Sequence, residues 1–348
     1  MRILHVAETI KGGIATYLNT LDSNVAHEHH YLLPESQVAE VSIDRARIRT
    51  FRGDTRLSRT FNLLLALART PDKATFDLIH LHSSFAGYVF LLQRALAVKL
   101  PPAVFCAHGW SFLRQVSGLE RNLCKAVDYL IGLAASGVIH ISESERRAAE
   151  FIPCKHQKTI YNPIARRYLA PLSSGRTSGE PRTLLFVGRL DRQKGFDVLY
   201  EAFKSPELAG HRLLVAGDAV LGENRPAPTE NVSFLGWQPA DALPRLYERA
   251  DLTVMPSRWE GFGFVAIESL ARGTPVLASS VGALSEILGE HGNTTDLSTP
   301  ENIVRALSDT AVHPHGSPQA LQDYVKEHFS PSRFAEAIDS FYRLVATR

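Results

Sequence analysis

This chain of 348 residues has few cysteines, no long apolar run and little net charge. Its three cysteines are odd in number and lack metal-ligand spacing, which argues against a disulfide framework and favours a reducing compartment, the cytoplasm by default. No apolar run approaches the roughly 20 residues of a membrane-spanning helix, and residues 1–6 lack the layout of a signal peptide. A formal charge of +2 argues against a strongly basic nucleic-acid-binding protein.

Two motifs of cofactor chemistry are missing as well. No Asp-x-Asp pair occurs in the sequence, so a divalent metal ion on a diphosphate would have no evident carboxylate ligands. The G-x-G-x-x-G fingerprint is incomplete, which argues against a nicotinamide-dependent dehydrogenase. We therefore expect neither a metal ion nor another cofactor.

Short apolar runs that alternate with helical patterns predict an α/β fold with a parallel sheet in each half of the chain. The length suits two domains of about 150 to 180 residues. The predicted strands cover residues 3–7, 78–81, 103–107 and 138–141 in the first half, and 183–187, 212–216, 232–235, 252–255 and 275–278 in the second.

A segment rich in proline, glycine and serine, residues 171–181, separates the two halves. We therefore predict domains over residues 1–165 and 183–330, joined by a linker over residues 166–182. In the tail, residues 332–348 carry apolar side chains at helical spacing, which predicts an amphipathic helix.

The most informative stretch runs from Glu260 to Glu268. Between the two carboxylates lie Gly261, Phe262, Gly263 and Phe264, followed by apolar residues. The stretch follows a predicted buried strand and opens a helix, so unpaired amide N–H groups and the positive end of the helix dipole would face a phosphate group. In that helix, Glu268 can accept hydrogen bonds from vicinal hydroxyls such as those of a ribose, while Glu260 reaches another part of the ligand. An isolated glutamate would ordinarily be a solvated surface residue.

A second signal follows the strand over residues 183–187. After Gly188 come Arg189 and Lys194, two cations in a loop at the carboxyl edge of the second sheet, where doubly wound domains bind ligands. The planar guanidinium of Arg189 suits a diphosphate, and Lys194 adds a point charge. Together they would neutralise a leaving nucleoside diphosphate.

Three further features lie in the first half. Gly12 and Gly13 separate the first strand from a helix and let the backbone approach a ligand closely. His108 follows the strand over residues 103–107, a position that favours a functional role. His80 and His82 alternate in strand register and would share one face, and we interpret them as structural or as neighbours of an acceptor substrate.

These motifs resemble the paired-glutamate signature and the Gly-Arg-Leu…Lys-Gly loop of family 4 (group 1) glycosyltransferases, which are retaining enzymes. The resemblance spans essentially the whole chain and is most specific over residues 186–276. It implies the GT-B fold, with two facing Rossmann-like domains and an interdomain cleft. The N-terminal domain would bind the acceptor, the C-terminal domain would bind the nucleotide sugar, and residues 331–348 would pack back on the N-terminal domain.

The resemblance also implies residue roles. The implied catalytic residues are Glu260, His108, Arg189 and Lys194. The implied donor-binding residues are Gly12, Gly13, Arg189, Lys194, Gly261, Phe262, Gly263, Phe264 and Glu268. Within this set, His108 would contact the transferred sugar near its 6-hydroxyl, Glu260 would orient the sugar hydroxyls, and Glu268 would bind the nucleotide.

The expected reaction is a transfer on one face of the sugar without a metal ion. Eight residues of helix span about 12 Å, whereas a double displacement needs two carboxyl groups about 5 Å apart, so we expect the departing phosphate to accept the acceptor's proton. The donor would carry a hexose or an N-acetylhexosamine on UDP, with GDP as the main alternative. The acceptor would be a lipid-linked glycan or a lipopolysaccharide or exopolysaccharide precursor. A nucleotide-sugar epimerase and a non-catalytic glycan-binding scaffold are the alternatives.

Basic residues are concentrated in the first half, with 19 basic and 14 acidic residues over 1–165. Six of them are arginines between Arg45 and Arg59, which form either a solvated surface or a patch for anionic lipid head groups. Residues 110–125 mix large apolar and basic side chains and suit a membrane interface, an acceptor wall or ordinary core. Membrane contact would place the protein on the inner face of the cell membrane.

Overall fold

The computed structural model describes residues 1–70, 75–96, 98–113, 117–173, 182–219, 226–308 and 316–347. The chain divides into two compact units. The first comprises Met1–Pro163 with Pro331–Arg348, and the second comprises Ile164–Ser330. No helix in the described part of the chain is both long enough and apolar enough to cross a membrane.

The first unit is built on a seven-stranded parallel sheet in the order β3-β2-β1-β4-β5-β6-β7. Its strands are β1 (Arg2–Ala7), β2 (Glu28–Pro34), β3 (Ile48–Phe51), β4 (Leu78–His82), β5 (Ala103–Cys106), β6 (Gly137–His140) and β7 (Gln157–Thr159). Its helices up to the boundary are α1 (Gly13–Asn24), α2 (Arg56–Arg69), α3 (Ser84–Ala95), α4 (Gly118–Ala134) and α5 (Glu143–Ala148). Because the strands are parallel, the loops after β1, β4 and β5 meet at one edge of the sheet.

The second unit has a six-stranded parallel sheet in the order β10-β9-β8-β11-β12-β13. Its strands are β8 (Arg182–Val187), β9 (His211–Ala216), β10 (Val232–Gly236), β11 (Leu252–Met255), β12 (Val276–Ser279) and β13 (Asn293–Thr295). Its helices are α6 (Phe196–Ala202), α7 (Leu243–Arg249), α8 (Phe264–Ala271), α9 (Leu284–Leu288), α10 (Pro300–Ser308) and α11 (Pro318–Phe329).

The last helix, α12 (Pro331–Ala346), belongs to the first unit, where it packs on α1 and β5. It buries Phe334, Ile338, Phe341, Tyr342 and Val345. These residues recur at helical spacing, and the apolar face they form explains why the tail is helical and where it packs.

The strands that could be predicted from the sequence are the apolar ones. All nine predicted strands are present with ends within one residue, which confirms the α/β fold with two parallel sheets. Strands β2, β3, β7 and β13 were not predicted, because they are short or carry polar residues. In the predicted linker, Arg166–Leu169 form a 3-10 turn of the second unit with Tyr168 buried, and residues 174–181 lie outside the described residues.

Candidate functional site

Glu260 lies in the loop between β11 and α8 of the second unit, with its carboxylate almost fully buried. Its Oε1 atom lies 2.5 Å from Nζ of Lys194 and accepts a hydrogen bond of 3.0 Å from the hydroxyl of Ser257. The loops that follow β8 and β11 are brought together because these strands are neighbours in the sheet. The structure therefore joins two residues that are far apart in sequence into one ion pair.

Close backbone approaches fix this ion pair in place. A Cβ atom on Gly195 would lie 1.9 Å from the carbonyl oxygen of Pro256, and one on Gly282 would lie 2.0 Å from that of Glu260. Both glycines have positive φ angles, 69° and 56°, that other residues rarely adopt. Neither Gly282 nor Ser257 was predicted as a site residue. The turn Ser-Ser-Val-Gly-Ala after β12 is the sequence signal for Gly282.

Arg189 lies in the same loop as Lys194 but does not contact Glu260. Its guanidinium lies 2.9 Å from Asp191 and donates to the side-chain oxygen of Gln193 at 2.8 Å. The side chain is almost half exposed, so it can reach a ligand. Gln193 in turn donates to the carbonyl oxygen of Trp259, which connects the loop of Arg189 with that of Glu260.

Helix α8 begins directly after this loop, and its first amides are uncapped. Gly263 takes the left-handed conformation at the N-cap, where no side chain accepts a hydrogen bond. No acidic residue lies in the first turn. Gly261, Phe262 and Phe264 complete this predicted donor-binding stretch, with Phe262 buried. The helix start therefore keeps the positive dipole end and N–H groups without a side-chain cap, which suit an anion.

Glu268 lies on the second turn of α8 and is partly buried. Its Oε2 atom accepts a hydrogen bond of 2.8 Å from the hydroxyl of Tyr247, and Tyr168 also hydrogen-bonds to this carboxylate. Burial raises the pKa of Glu268 above its ordinary value, and the two tyrosine hydroxyls oppose that shift. Sequence reasoning missed both tyrosines, which come from α7 and from the turn before β8 and carry no motif of their own.

Other loops at this edge of the second sheet are joined through their backbones. A Cβ atom on Gly217 would lie 1.8 Å from the carbonyl oxygen of Gly188, so only glycine permits the contact. Gly217 also donates from its amide to the carbonyl oxygen of Gly236 at 2.8 Å. Next to Gly236, Trp237 is 69% exposed, which leaves a large aromatic surface at the end of β10.

In the first unit, the glycine loop and His108 both lie near Tyr17. Helix α1 begins after Gly12, whose φ is 75°, and its N-terminus has no side-chain cap and no acidic residue. Gly12 and Gly13 are exposed. One turn into α1, the ring of Tyr17 meets the ring of His108 edge-on with centroids 4.6 Å apart.

His108 is held in an unusual backbone conformation, with a φ of 52°. Its Nε2 atom lies 3.0 Å from Nδ1 of His82. Burial lowers the pKa of His108 to about 3, so the ring is neutral at physiological pH. A neutral imidazole can accept or donate a hydrogen bond but cannot supply a positive charge.

His80 and His82 share one face of β4, as predicted from their alternation, and both are fully buried. With His5 they place one ring nitrogen each within 4.8 Å of one another, an arrangement chemically able to ligate a metal ion. His80 also bonds to the hydroxyl of Tyr342 at 2.6 Å. Both histidines therefore belong to the interior of the first unit.

Three of the six arginines of the predicted basic patch form local ion pairs. Arg47 binds Asp22, Arg52 binds Glu35, and Arg59 binds the buried Glu8. These pairs weaken the interpretation of this segment as a lipid-binding surface.

Exposed apolar side chains lie instead on α4. The most exposed are Leu119, Leu123, Leu130 and Leu133, at 84%, 63%, 51% and 57%. By contrast, Trp110 and Phe112 of the predicted interfacial segment are buried core, and Arg114 lies outside the described residues. Most of the exposed apolar surface in this part of the chain therefore lies on the helix, with Leu113, 47% exposed, before it.

Comparisons with protein families match both halves of the chain. A model described as "Glycosyltransferase Family 4" matches residues 12–167, and one described as "Glycosyl transferases group 1" matches residues 181–313. An uncharacterized 41.2 kDa protein in the cps region of Klebsiella pneumoniae is 28% identical over 99% of both chains. An uncharacterized glycosyltransferase of Methanocaldococcus jannaschii, MJ1607, is 30% identical over 77% of this chain and 75% of its own.

Solved structures show the same fold at low sequence identity. Sucrose-phosphate synthase from Thermosynechococcus elongatus superposes with a TM-score of 0.80 at 20% identity over 99% of both chains. Anabaena Alr3699/HepE, solved with UDP-glucose, gives 0.78 at 21% identity over 98% of both. The lipopolysaccharide outer core galactosyltransferase WaaB gives 0.70 at 14% identity over 99% of this chain and 100% of its own. These likenesses establish the GT-B fold with two Rossmann-like halves.

Proposed function

The chain belongs to the group 1, family 4 glycosyltransferases, and we propose that it transfers a hexose or an N-acetylhexosamine with retention and without a metal ion. The donor is a nucleoside diphosphate sugar and the acceptor is a lipid-linked oligosaccharide or a lipopolysaccharide or exopolysaccharide precursor. The observation that carries the proposal is the Lys194–Glu260 pair beside the uncapped start of α8. It combines a cation, a carboxylate and uncapped amides at one sheet edge.

Cationic side chains and backbone amides would bind the diphosphate of the donor. In the second unit these are Lys194, Arg189 and the first N–H groups of α8. In the first unit, the exposed loop of Gly12 and Gly13 at the start of α1 has the same character. Lys194 and Arg189 are engaged by Glu260 and Asp191, so donor binding would replace carboxylate oxygens with phosphate oxygens. Preorganised donors of this kind contribute several kcal/mol to stabilising a leaving group.

Three further predicted residues would contact the sugar and the nucleoside. Glu260 orients sugar hydroxyls, which a carboxylate still held by the hydroxyl of Ser257 is suited to do once phosphate engages Lys194. Glu268 binds the ribose hydroxyls, and Tyr247 and Tyr168 hold its carboxylate in position. His108 contacts a hydroxyl of the transferred sugar.

In the proposed reaction, the acceptor attacks from the same face of the sugar that the phosphate leaves. The bond between the anomeric carbon and the phosphate oxygen breaks, the acceptor oxygen bonds to that carbon, and the acceptor's proton passes to the released phosphate. Glu268 is engaged by tyrosine hydroxyls, which supports a nucleotide-binding role and not a second carboxylate for a double displacement. Retention would then arise from a short-lived oxocarbenium-like state.

UDP is the proposed nucleotide, with GDP as the alternative. Support comes from the structural neighbour Alr3699/HepE, solved with UDP and with UDP-glucose. The base is assigned to the loops after β9 and β10, where the Gly217–Gly236 bridge and exposed Trp237 provide backbone groups and an aromatic surface.

The proposed acceptor is an intermediate of surface polysaccharide assembly. Support comes from the relative in a cps region and from the likeness to WaaB. The exposed leucines of α4, accompanied by exposed Arg121 and Lys125, are suited to the interface of an anionic membrane that holds a lipid-linked acceptor. Peripheral attachment to the inner face of the cell membrane follows from this assignment.

The test is calorimetric titration with UDP, GDP, ADP and dTDP in the presence of EDTA, using the full chain and Lys194→Met. Lys204→Met is the matched control, because Lys204 also pairs with a glutamate of the second unit but is exposed. We expect one diphosphate to bind selectively and Lys194→Met to weaken it about tenfold or more. Binding that requires Mg²⁺, or no binding by any diphosphate, would contradict the proposal.

Product analysis separates the alternative functions. Incubation with the preferred nucleotide sugar and membrane lipid extract should yield a glycosylated lipid with the anomeric configuration of the donor. Formation of an epimer without acceptor would indicate an epimerase. Tight glycan binding without any turnover of the donor would indicate a scaffold.

A further inference from the structure

Four histidine rings of the first unit form one continuous hydrogen-bonded chain. His29 Nε2 lies 3.0 Å from the carbonyl oxygen of Val25, and His29 Nδ1 lies 2.9 Å from His5 Nε2. His5 Nδ1 lies 3.0 Å from His82 Nε2, and His82 Nδ1 lies 3.0 Å from His108 Nε2. The histidine chain therefore starts at a backbone carbonyl beside β2, crosses β1 and β4, and ends at the residue assigned to the sugar.

The fold explains why these rings meet. Strands β2, β1, β4 and β5 are consecutive neighbours in the sheet, and each contributes one histidine on the strand or just after it. His5, His29 and His82 are at most 1% exposed. Buried imidazoles of this kind must satisfy their polar atoms within the protein, and these do so with each other.

All four rings are neutral at physiological pH. Burial lowers the pKa of His5 and His82 well below 6.5, that of His29 to about 4 and that of His108 to about 3. Neighbouring imidazoles lower the pKa of His5 further, since each would repel a positive charge. Each ring therefore carries a single N–H group.

The Val25 carbonyl determines where each N–H lies. A carbonyl oxygen can only accept, so the hydrogen of His29 is on Nε2 and its Nδ1 is an acceptor. His5 must then donate from Nε2, which makes its own Nδ1 an acceptor for His82 Nε2–H. By the same step, His108 donates from Nε2 to His82. The hydrogen-bond network therefore fixes one N–H position on each of the four rings.

We propose that the histidine chain locks His108 in its Nε2–H tautomer, so that His108 Nδ1 accepts a hydrogen bond from a hydroxyl group of the transferred sugar. His29, His5 and His82 act as positioning residues through His108. The contact with the sugar rests on the proposed function, whereas the tautomer does not.

Fixing the tautomer of His108 matters chemically because a free neutral imidazole populates both tautomers. In the other tautomer, His108 would present an N–H to the sugar and could not accept. Within the described residues, His108 Nδ1 has no hydrogen-bond partner of its own and remains available. The ring of Tyr17 packs against this imidazole at an angle of 77°, with the ring centroids 4.6 Å apart.

A metal ion bound among His5, His80 and His82 would favour the other tautomer of His108. If His5, His80 and His82 bound an ion and His82 used Nε2, that nitrogen would need its lone pair. His82 would then donate from Nδ1 to His108 Nε2, and His108 Nδ1 would carry the hydrogen. The tautomer of His108 therefore distinguishes the lock from a metal site.

The test is long-range ¹H–¹⁵N correlation of the imidazole nitrogens in the full chain labelled with ¹⁵N-histidine. His108→Gln assigns the His108 signals by their disappearance. We expect His108, His82, His5 and His29 to be protonated at Nε2 and unprotonated at Nδ1. A His108 ring protonated at Nδ1, or stoichiometric metal in the purified protein, would overturn the proposal.

His29→Leu removes the acceptor for His5 without touching His108. We expect His108 to show both tautomers and kcat/KM for the donor to fall about fivefold to tenfold, with the Kd of the nucleoside diphosphate unchanged within about twofold. His29→Asn, whose amide oxygen can accept from His5, should restore the tautomer. The matched control is His80→Leu, because His80 is equally buried on the same face but lies outside the histidine chain.

The outcomes separate the two proposals. An unchanged His108 tautomer in His29→Leu would overturn the lock. If that variant does not fold, the wild-type spectrum alone decides. The expected tautomers together with a complete absence of sugar transfer would support the lock and count against the proposed function.

Discussion

Glu260 and Lys194 form an ion pair of 2.5 Å in which both side chains are largely buried. Ser257 donates to the same carboxylate oxygen, and Gly282 packs against the backbone of Glu260. A phosphate oxygen would compete with Glu260 for Lys194. The pair therefore connects the recognition of the diphosphate with the orientation of the carboxylate assigned to the sugar.

Glu260→Gln should reduce kcat by about 100-fold, because an amide neither orients sugar hydroxyls as strongly nor complements positive charge developing on the sugar. The measurement is steady-state transfer from the preferred nucleotide sugar. Glu201→Gln is the matched control, since Glu201 pairs with Lys204 on the surface of the same unit. Full turnover by Glu260→Gln would show that the assigned role is wrong.

Glu268→Gln should change the pH dependence of stability. The folded state raises the pKa of Glu268, so this carboxyl contributes stability below its ordinary pKa of 4.5 that is lost as pH rises through its folded pKa. A glutamine stays neutral and can still accept from Tyr247. The melting temperature of the variant should therefore exceed that of wild type at pH 7 and match it near pH 4.

The control for this prediction is Glu230→Gln, since Glu230 is exposed on the surface of the same unit. A variant that is less stable than wild type at pH 7 would mean that the charged carboxylate is stabilising where it lies. UDP affinity measured on the same samples reports separately on the ribose assignment.

Gly282→Ala should damage the site through the backbone. Its Cβ would fall 2.0 Å from the carbonyl oxygen of Glu260, and its φ of 56° is unfavourable for alanine. We expect a loss of about 1 to 3 kcal/mol in the free energy of unfolding, together with lower kcat. Gly210→Ala is the control, because no atom lies within 4 Å of its Cβ position. Equal stability of the two variants would disprove the predicted clash.

Leu119→Glu with Leu123→Glu should weaken membrane attachment. Both side chains are exposed on α4, and burying two leucines in a bilayer interface is worth roughly 3 kcal/mol. In co-sedimentation with phosphatidylglycerol vesicles, we expect at least about tenfold weaker partitioning than for wild type. Leu57→Glu, 82% exposed on α2, should bind like wild type. Equal loss in both variants would indicate a general charge effect.

Much of the fold could be predicted because buried parallel strands are apolar along their whole length. That pattern marks the central strands, such as β8 and β11, but not β2, whose histidines look polar in sequence. The polar appearance of β2 conceals its burial, because His29 is satisfied by Val25 and His5. Local composition cannot report a hydrogen bond to a distant strand.

The candidate site, like the fold, could be predicted from the sequence only in part. Its residue types and their spacing are local properties, so the pairing of Glu260 with a helix start and the loop of Arg189 and Lys194 could be read from sequence. The contact between Lys194 and Glu260, the tyrosines on Glu268 and the glycine beside Glu260 could not. Each depends on which strands are neighbours in the sheet.

The sequence by itself determined the α/β class and the family, and it predicted the residues proposed to bind the donor, because short motifs and apolar periodicity are local properties of the chain. Only the tertiary structure decided that Lys194 meets Glu260 and that His108 ends a chain of four imidazoles. The physical reason is that hydrogen bonds and ion pairs act over about 3 Å in space, whatever the separation in sequence.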